Sequence, residues 1–464
     1  MKEIPIAMTI AGSDSSGGAG IEADLKTFAA LGVHGTVTVT AVTAQNTCGV
    51  YAVQDIDLDV IEKQFDAVFE DIGVDAVKTG MLHKREVISL VAKKIKQHNL
   101  PLVVDPVMVA KSGARLLLVE SEEALKKVLL PVATVVTPNA VEAAALTGMK
   151  VETLEDMREA AKKIIKFGPR AVVIKGGHIN TGDNVVDVAY VDGEFREFIG
   201  RRIQTNATHG TGCGFSAAIT AELAKGKSII EAVAVAKEFI ENAVRYGLKV
   251  GKCYGPINPT SWTQIPAEKY FTLETLSKAI VSLESHSEVA QLIPEVQSNI
   301  AMAISKQYLR DVRDVAAVPG RLVKYKNTVK ASGPPEFGAS FHLARILLKV
   351  LEYDPNIRSL MNIRYSPEIV KTFKRLGYSV SSFSRKDEPK KLKTIEGGTL
   401  PRGIEFAIKK VGRMPDIIYD VGDIGKEPMI RVFGKDAMDV ANKIINVAGE
   451  LNKMNKKTDL ERTV

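Results

Sequence analysis

The stretch Thr208-His209-Gly210-Thr211-Gly212-Cys213-Gly214, followed by Phe215-Ser216-Ala217-Ala218-Ile219, spaces three glycines among small or polar residues and turns at once into helix formers. Glycine lets a backbone turn tightly and approach a ligand closely. The helix that follows aims unpaired N–H groups and its positive dipole end back at the loop, which makes a cradle for developing phosphate charge. The plainer reading is a Gly-rich turn before a core helix. Cys213 favours the cradle. A thiol on the first turn of a helix, facing an anion site, has its thiolate favoured and can act as a base.

Upstream of this loop the chain alternates short apolar runs with amphipathic segments. Ile4–Ile10 predicts a buried strand, and the loop Ala11–Gly20 leads into a helix through Asp24, Leu25, Phe28 and Ala29. The glycines of that loop lack the dinucleotide-binding spacing, and no Walker A sequence occurs, so the loop reads as a substrate lip. Further strands are predicted at Gly35–Thr43, Ala76–Thr79, Pro101–Val104, Val135–Val136 and Ala171–Ile174, with helices near 60–68 and 86–98. Val185–Val191 and Glu194–Ile199 flank Asp192-Gly193 as a hairpin. This order argues a mostly parallel sheet with helices on both faces.

The unusual polar residues stand at strand C-terminal ends, where open α/β sheets bind ligands. Gln45 offers an amide donor and acceptor to one heteroaromatic edge, or is an ordinary surface glutamine. Met81 covers a flat ring or fills the core. Asp105 ends a buried strand. Asn139 and Glu142, three apart on a first helical turn, suit water-mediated Mg²⁺ or form a capping box. Lys175 closes the Ala171–Ile174 strand.

The 464 residues are too many for one core, and composition is that of a globular protein. No apolar run is long enough to span a membrane, and Met1-Lys2-Glu3-Ile4-Pro5 enters a strand with no signal peptide, so a cytoplasmic protein is expected. Cys48, Cys213 and Cys253 show neither metal nor redox spacing, and neither disulfide nor zinc is expected. Residues 281–464 carry 31 Lys+Arg against 22 Asp+Glu, whereas 1–280 carry 31 against 33. That excess fits nucleic acid or multiply phosphorylated small molecules. With no aromatic-and-basic RNA motif or zinc finger present, the small molecules are favoured.

Tyr254–Pro266, with three prolines and the single Trp262, reads as an ordered connector, and a helix follows from about Thr272 to Gln291. In the second half, Arg321 directly after Pro319-Gly320 is a fixed position for a phosphate clamp. His342 sits on the first turn of a helix and either faces an anion or is half-buried and satisfied. Asn362–Tyr365 predicts a strand and Glu368–Leu376 a helix, with a charged loop at Lys386–Lys393. A strand then ends in the loop around Asp420 and Lys426, a second strand carries Arg431, and an amphipathic helix closes the domain near Leu451 before a charged tail.

Taken together, AGSDSSGGAGIEADLKTF, VTAQNT, KTGML, VVDPVM, AKSGARLL, TPNAVEAAAL, VIKGGH and THGTGCGFSAA resemble the hydroxymethylpyrimidine/phosphomethylpyrimidine kinases of thiamine biosynthesis, over residues 4–265. The resemblance implies a ribokinase-like α/β domain with a mostly parallel central sheet flanked by helices. It implies that Gly12, Asp24, Gln45 and Met81 line a pyrimidine pocket, and that Asp105 and Glu142 lie near Mg²⁺ and the phosphates of ATP, with Asn139 and Lys175 beside them. Cys213 would take the substrate proton, and Gly210, Thr211, Gly212 and Cys213 would form the anion hole. Gly214 departs from the small hydroxylic residue common there. Likewise VPGR, GASFHLAR and DIIYDVGDIGKEPMIRVFG resemble the archaeal-type thiamine-phosphate synthase domain, a second, smaller α/β domain over about 290–450. That implies action of Arg321 and His342 on a pyrimidine diphosphate, with phosphate binding by Asp420, Lys426 and Arg431. A similar domain serves elsewhere as a thiamine-phosphate sensor, which is the alternative for this half. The expected division is 1–265 kinase and 272–455 synthase. Both halves would act on small molecules, with no nucleic-acid or membrane partner, in a homodimer.

Overall fold

The structure, a computed structural model, describes residues 3–109, 116–385, 400–423 and 425–462. Most of AKSGARLL, the 386–393 loop and the end of the charged tail fall outside them. Two compact units result, 1–264 and 265–464.

Among the described residues the first unit holds nine strands: β1 Ile6–Asp14, β2 His34–Gln45, β3 Val50–Asp55, β4 Ala76–Thr79, β5 Leu102–Val104, β6 Val135–Val136, β7 Ala171–Ile174, β8 Asn184–Val191 and β9 Glu194–Arg201. Their order is β3-β2-β1-β4-β5-β6-β7-β8-β9, parallel from β2 through β7, with antiparallel strands at both edges. Successive strand residues face opposite sides, and the two cores follow that alternation. Met8, Ile10, Leu102, Val104, Val136, Val172 and Ile174 pack on one face with helices Leu58–Asp71, Arg85–His98 and Leu154–Ile164. Ala7, Val103, Val135, Ala171 and Val173 pack on the other with helices Gly20–Ala30, Thr211–Ala224 and Ile229–Arg245. The predicted α/β layering holds, and β3 is an addition. Its residues are largely exposed, so it lacks the apolar signal of a buried strand.

Two expectations fail here. Cys48 and Cys253 form a disulfide across 205 positions. Local spacing carries no trace of it, because the pair meets only when the 251–254 segment returns to the end of β2, where Tyr254 N–H donates to the Thr47 carbonyl at 3.1 Å. The end of the connector also belongs to the helix that follows it: Ser261–Ser285 is a continuous helix with Pro266 in its second turn. A proline there removes one backbone bond without ending the helix.

In the second unit a seven-stranded sheet runs through β10 Ile300–Ala303, β11 Val315–Ala317, β14 Glu336–Phe337, β15 Ser359–Arg364, β16 Val380–Ser382, β17 Ile417–Asp420 and β18 Met429–Gly434, while β12 Leu322–Tyr325 and β13 Thr328–Ala331 pair as a hairpin. The sheet order is β14-β11-β10-β15-β18-β17-β16, antiparallel except for β16 with β17. Helix Ala437–Arg462 buries Val440, Ile444 and Val447 on one face, and helices Phe341–Tyr353 and Leu400–Val411 cover the other. No described helix is long and apolar enough to cross a membrane.

Candidate active sites

β1 lies between β2 and β4, so successive connections leave it in opposite directions and a crevice opens at the carboxyl ends of these strands. The Gly-rich loop reaches that crevice and packs on the loop after β1. Gly210 has φ +81°, and a Cβ there would lie 1.9 Å from the Gly18 carbonyl oxygen. Only glycine fits. Asp14 pins the two loops together: its Oδ1 accepts from Ser16 N–H at 2.8 Å, its Oδ2 accepts from Ala19 N–H at 2.8 Å, and His209 Nε2 stands 2.8 Å from Oδ2. Burial pushes the Asp14 carboxyl up, but the bonds from His209 and Ser16 outweigh it and leave the pKa at about 2. At Gly214 a Cβ would lie 2.7 Å from Ile257 Cδ1 and 3.0 Å from Ile240 Cδ1, so a larger side chain there would require these two methyl groups to shift.

Cys213 occupies the first turn of helix Thr211–Ala224, whose N-cap, Gly210, has no side chain to cap it. The thiolate expected from that position is not the resting state. The residue is half-buried, yet desolvation of its thiol pushes the pKa up to about 11, against the pull of Lys78. Helix position alone is worth less than burial here. Lys78, which sequence reading passed over, is fully buried in β4 with its Nζ 2.8 Å from Asp24 Oδ2. Burial disfavours its charge, but Asp24, Cys213 and Asp105 together hold it above the ordinary lysine value. The signal was a lysine within a four-residue strand, Ala76–Thr79, whose residues are all buried. Asp24, expected on the pocket wall, is likewise wholly buried; Thr9 also donates to Oδ2, and Oδ1 has no hydrogen-bond partner.

Asp105, Glu142 and Lys175 converge from the ends of β5, β6 and β7. Lys175 Nζ lies 2.9 Å from Asp105 Oδ1 and 3.9 Å from Glu142 Oε2. A Cβ on Gly212 would sit 3.3 Å from the same Nζ, so this cation faces the anion loop. Of the two readings of Asn139 and Glu142, the capping box forms: Asn139 Oδ1 accepts from Glu142 N–H at 2.9 Å and Glu142 Oε2 from Asn139 N–H at 2.7 Å. It does not exhaust Glu142. Burial pushes that carboxyl up to about 7 despite Lys175. Among the described residues no three His, Cys, Asp or Glu form a metal cluster. Two neighbouring buried carboxylates still fit Mg²⁺, which keeps several waters and needs only one or two carboxylates besides phosphate.

Gly12 and Met81 adjoin, since a Cβ on Gly12 would lie 3.3 Å from Met81 Sδ, and Met81 clusters with Ala41, Leu116 and Val107. Gln45 ends β2 with its Nε2 3.3 Å from His209 Nε2. The amide and the anion loop therefore share a neighbour, a link that no spacing in the sequence displays.

In the second unit, His342 follows the N-cap Ser340 on helix Phe341–Tyr353. Its imidazole reaches solvent on one side. Desolvation on the other, then Arg431, Arg385, Arg321 and Arg345, hold its pKa down to about 4. Arg321 has φ +77° after Gly320, and its Nη1 donates to the Val296 carbonyl. Lys426 pairs through its backbone with Asp423. Asp420, expected to help bind phosphate, is fully buried and accepts from Arg385 and Arg431. The arginine cluster comes together from β18, the segment after β16, the Gly320 turn and helix Phe341–Tyr353. Arg345 closes the GASFHLAR stretch but was given no role there, and Arg385 lies outside every stretch quoted from the sequence.

Residues 14–258 match the phosphomethylpyrimidine kinase family and residues 275–446 the thiamine-phosphate synthase ThiN family. The chain is 47% identical over 253 residues to the hydroxymethylpyrimidine/phosphomethylpyrimidine kinase of Bacillus subtilis, covering 54% of this chain and 93% of that protein. It is 37% identical over 444 residues to the bifunctional thiamine biosynthesis protein ThiDN of Methanocaldococcus jannaschii, covering 95% and 97%. Among solved structures, an ADP complex of Bacillus subtilis pyridoxal kinase matches with a TM-score of 0.53 and 44% identity, over 56% of this chain and 98% of that one. With both halves matched in order and a relative of the same composite build along nearly its whole length, the chain belongs to the phosphomethylpyrimidine kinase family and is a bifunctional thiamine-biosynthesis enzyme, a kinase domain followed by a thiamine-phosphate synthase domain.

Proposed function

We propose that residues 1–265 phosphorylate 4-amino-5-hydroxymethyl-2-methylpyrimidine and then its phosphate with ATP, and that residues 272–455 join the resulting diphosphate to 4-methyl-5-(2-hydroxyethyl)thiazole phosphate, releasing pyrophosphate and thiamine phosphate. The observation that carries the first half is the meeting of the Gly210–Cys213 turn with Lys175 and Asp105 at the carboxyl ends of the parallel strands. The ADP complex of the similar pyridoxal kinase supports a nucleotide there.

Gly12, Gln45 and Met81 hold the pyrimidine, with its hydroxymethyl group toward Cys213. In its thiolate form Cys213 takes the hydroxyl proton as the oxygen attacks the γ-phosphorus and ADP leaves; Lys78 is the cation that makes this thiolate reachable. Backbone N–H groups of Gly210 to Cys213 and the Lys175 ammonium meet the charge on the transferring phosphoryl group, since phosphoryl transfer is mainly positioning and electrostatics. Asp105 and Glu142 would hold Mg²⁺, which supplies positive charge to the nucleotide phosphates. In the second domain, the diphosphate leaves the electron-rich aminopyrimidine methyl group, and the thiazole nitrogen captures the cation left behind. Arg321, Arg345 and Arg431 receive the departing charge, and His342 stays neutral among them.

A cytoplasmic homodimer belongs to the same proposal. A second reading of the first domain, phosphorylation of pyridoxal, is favoured by the 44% identity to pyridoxal kinase. The test is to incubate the purified chain with pyrimidine alcohol, thiazole phosphate and MgATP. Thiamine phosphate is expected, with the pyrimidine alcohol consumed faster than pyridoxal. Binding of thiamine phosphate without its formation would make the second domain a sensor, and faster turnover of pyridoxal would reassign the first.

A further inference from the structure

All three cysteines of the chain lie in the kinase half: Cys213 in the anion loop, and Cys48 with Cys253 in the disulfide. Both bonded cysteines are exposed, so the cross-link fills no core. What it joins gives it a use. Cys48 stands in the turn between β2 and β3, three residues after Gln45. That turn is closed on itself: Asn46 Oδ1 accepts from Cys48 N–H at 2.8 Å and Gly49 N–H at 3.2 Å, and Asn46 N–H donates to the Gly49 carbonyl at 3.0 Å. Cys253 precedes a segment that runs beside the anion loop. There His209 N–H donates to the Gly255 carbonyl at 3.0 Å, and Ile257 N–H donates to the His209 carbonyl at 3.0 Å. A Cβ on Gly255 would lie 2.1 Å from the Leu248 carbonyl oxygen, so this segment is seated closely on its other side too.

His209 Nε2 in turn stands 3.3 Å from Gln45 Nε2 and 2.8 Å from Asp14 Oδ2. A ring therefore closes, from Gln45 to Cys48, across the disulfide to Cys253, along to Gly255 and back through His209. Other ties assist it: Tyr254 N–H donates to the Thr47 carbonyl at 3.1 Å, and Ser15 Oγ donates to the Gln45 carbonyl at 2.7 Å. Hydrogen bonds at exposed turns open readily. The disulfide does not.

On the reading that Gln45 lines the pyrimidine pocket, we propose that the Cys48–Cys253 cross-link is a positioning element of the kinase site. It fixes Gln45 against the anion loop, and its reduction by a dithiol loosens the hold on the pyrimidine reversibly. Neither cysteine touches substrate. In the reduction, a thiolate of the dithiol attacks one sulfur and the S–S bond breaks, giving a mixed disulfide. The second thiol of the reagent then displaces the protein sulfur. The chain gains two electrons and two protons as two thiols, and the reagent leaves as its own disulfide.

Initial rates of the full chain, before and after incubation with dithiothreitol, read this well below the melting temperature, with the redox state checked by intact mass. Reduction should raise the pyrimidine KM about tenfold, the worth of one hydrogen bond no longer held in line, and leave the ATP KM unchanged. Reoxidation with oxidised glutathione should restore the first value. The double variant Cys48→Ser with Cys253→Ser should show the raised KM with or without dithiothreitol. Residues 265–464 contain no cysteine, so thiamine phosphate formation from supplied pyrimidine diphosphate should be equal in every sample. In Gln45→Leu, reduction should add little, since the cross-link acts through that amide.

A cross-link that only staples the fold would change the folded fraction, hence kcat, and leave the KM of both substrates alone. That result would overturn the proposal, as would a chain that unfolds on reduction or a bond that dithiothreitol leaves intact in the native chain. Should the double variant not fold, the reduced and reoxidised wild-type chain decides alone. The pocket assignment is tested separately. If Gln45→Leu leaves the pyrimidine KM of the oxidised chain alone, that assignment fails; if Gln45→Leu raises it and reduction does not, only the present inference fails.

Discussion

The two halves meet phosphate in opposite ways. In the first, each buried cation has its own carboxylate, Lys78 with Asp24 and Lys175 with Asp105 and Glu142, so the side chains come close to cancelling. On the proposed reading, attraction for phosphate is then left to backbone N–H groups at a helix start and to the Mg²⁺ that would come with the nucleotide. In the second, Arg321, Arg345, Arg385 and Arg431 all act on the charge of His342, and two of them, Arg385 and Arg431, share the carboxylate of Asp420. The charge split between residues 1–280 and 281–464 has this local form. A site whose charge comes with its cosubstrate can be internally neutral. One that must seat two phosphorylated substrates carries its own.

The sharpest break in the comparison is at the kinase. Cys213→Ala should lower pyrimidine phosphorylation by about 10²–10⁴-fold, the usual contribution of a general base, while thiamine phosphate still forms from supplied pyrimidine diphosphate. Near-normal phosphorylation by the variant would leave Cys213 a packing residue. Because the resting thiol titrates near 11, the thiolate fraction grows with pH. Kinase kcat/KM should climb steadily between about pH 7 and 9, provided substrate ionisation is corrected for. A profile flat through that range would remove the base role.

Next comes Arg321→Lys, which keeps the charge and loses the fork. Thiamine phosphate synthesis should fall by about 10²–10³-fold, the effect of losing one donor to developing negative charge, with product binding by calorimetry little changed. Normal turnover would exclude Arg321 from the transition state.

Gln45→Leu should raise the pyrimidine KM by about 10–100-fold, the cost of leaving a polar edge unpaired, and leave the KM for ATP nearly alone. A parallel loss of both would move the pyrimidine pocket elsewhere. The smallest effect is ionic. Raising salt from 50 to 300 mM should weaken pyrophosphate binding several-fold in the arginine site and barely alter the pyrimidine KM, because screening acts on side-chain charge exposed to solvent. Equal sensitivity of the two halves would erase the contrast between them.

Much of this was legible in the sequence. Ala171–Ile174 is an apolar run and Ala76–Thr79 a short segment ahead of Gly80, and both are strands with the expected limits. The polar residues after the strands do gather: Asp105 and Lys175 follow β5 and β7 directly and Glu142 stands on the first turn of the helix after β6, so the parallel topology brings them together. What stayed hidden depends on contacts between distant segments. The Asp14–His209 pin spans 195 positions, and Cys48 meets Cys253 only because one loop returns to another. Burial was hidden as well. Cys213 and Asp24 were identified as residues, but the burial that keeps the first protonated and hides the second depends on the packing of helix Thr211–Ala224 over the sheet.

The central claim is that one chain carries two chemically distinct sites, each competent without the other. Mixing Cys213→Ala with Arg321→Lys tests it most directly. Given pyrimidine alcohol, thiazole phosphate and MgATP, each variant alone should make almost no thiamine phosphate, while the equimolar mixture should make it readily, the diphosphate formed on one chain being consumed on the other. A mixture as inactive as its parts, from variants that are both folded, would contradict the account.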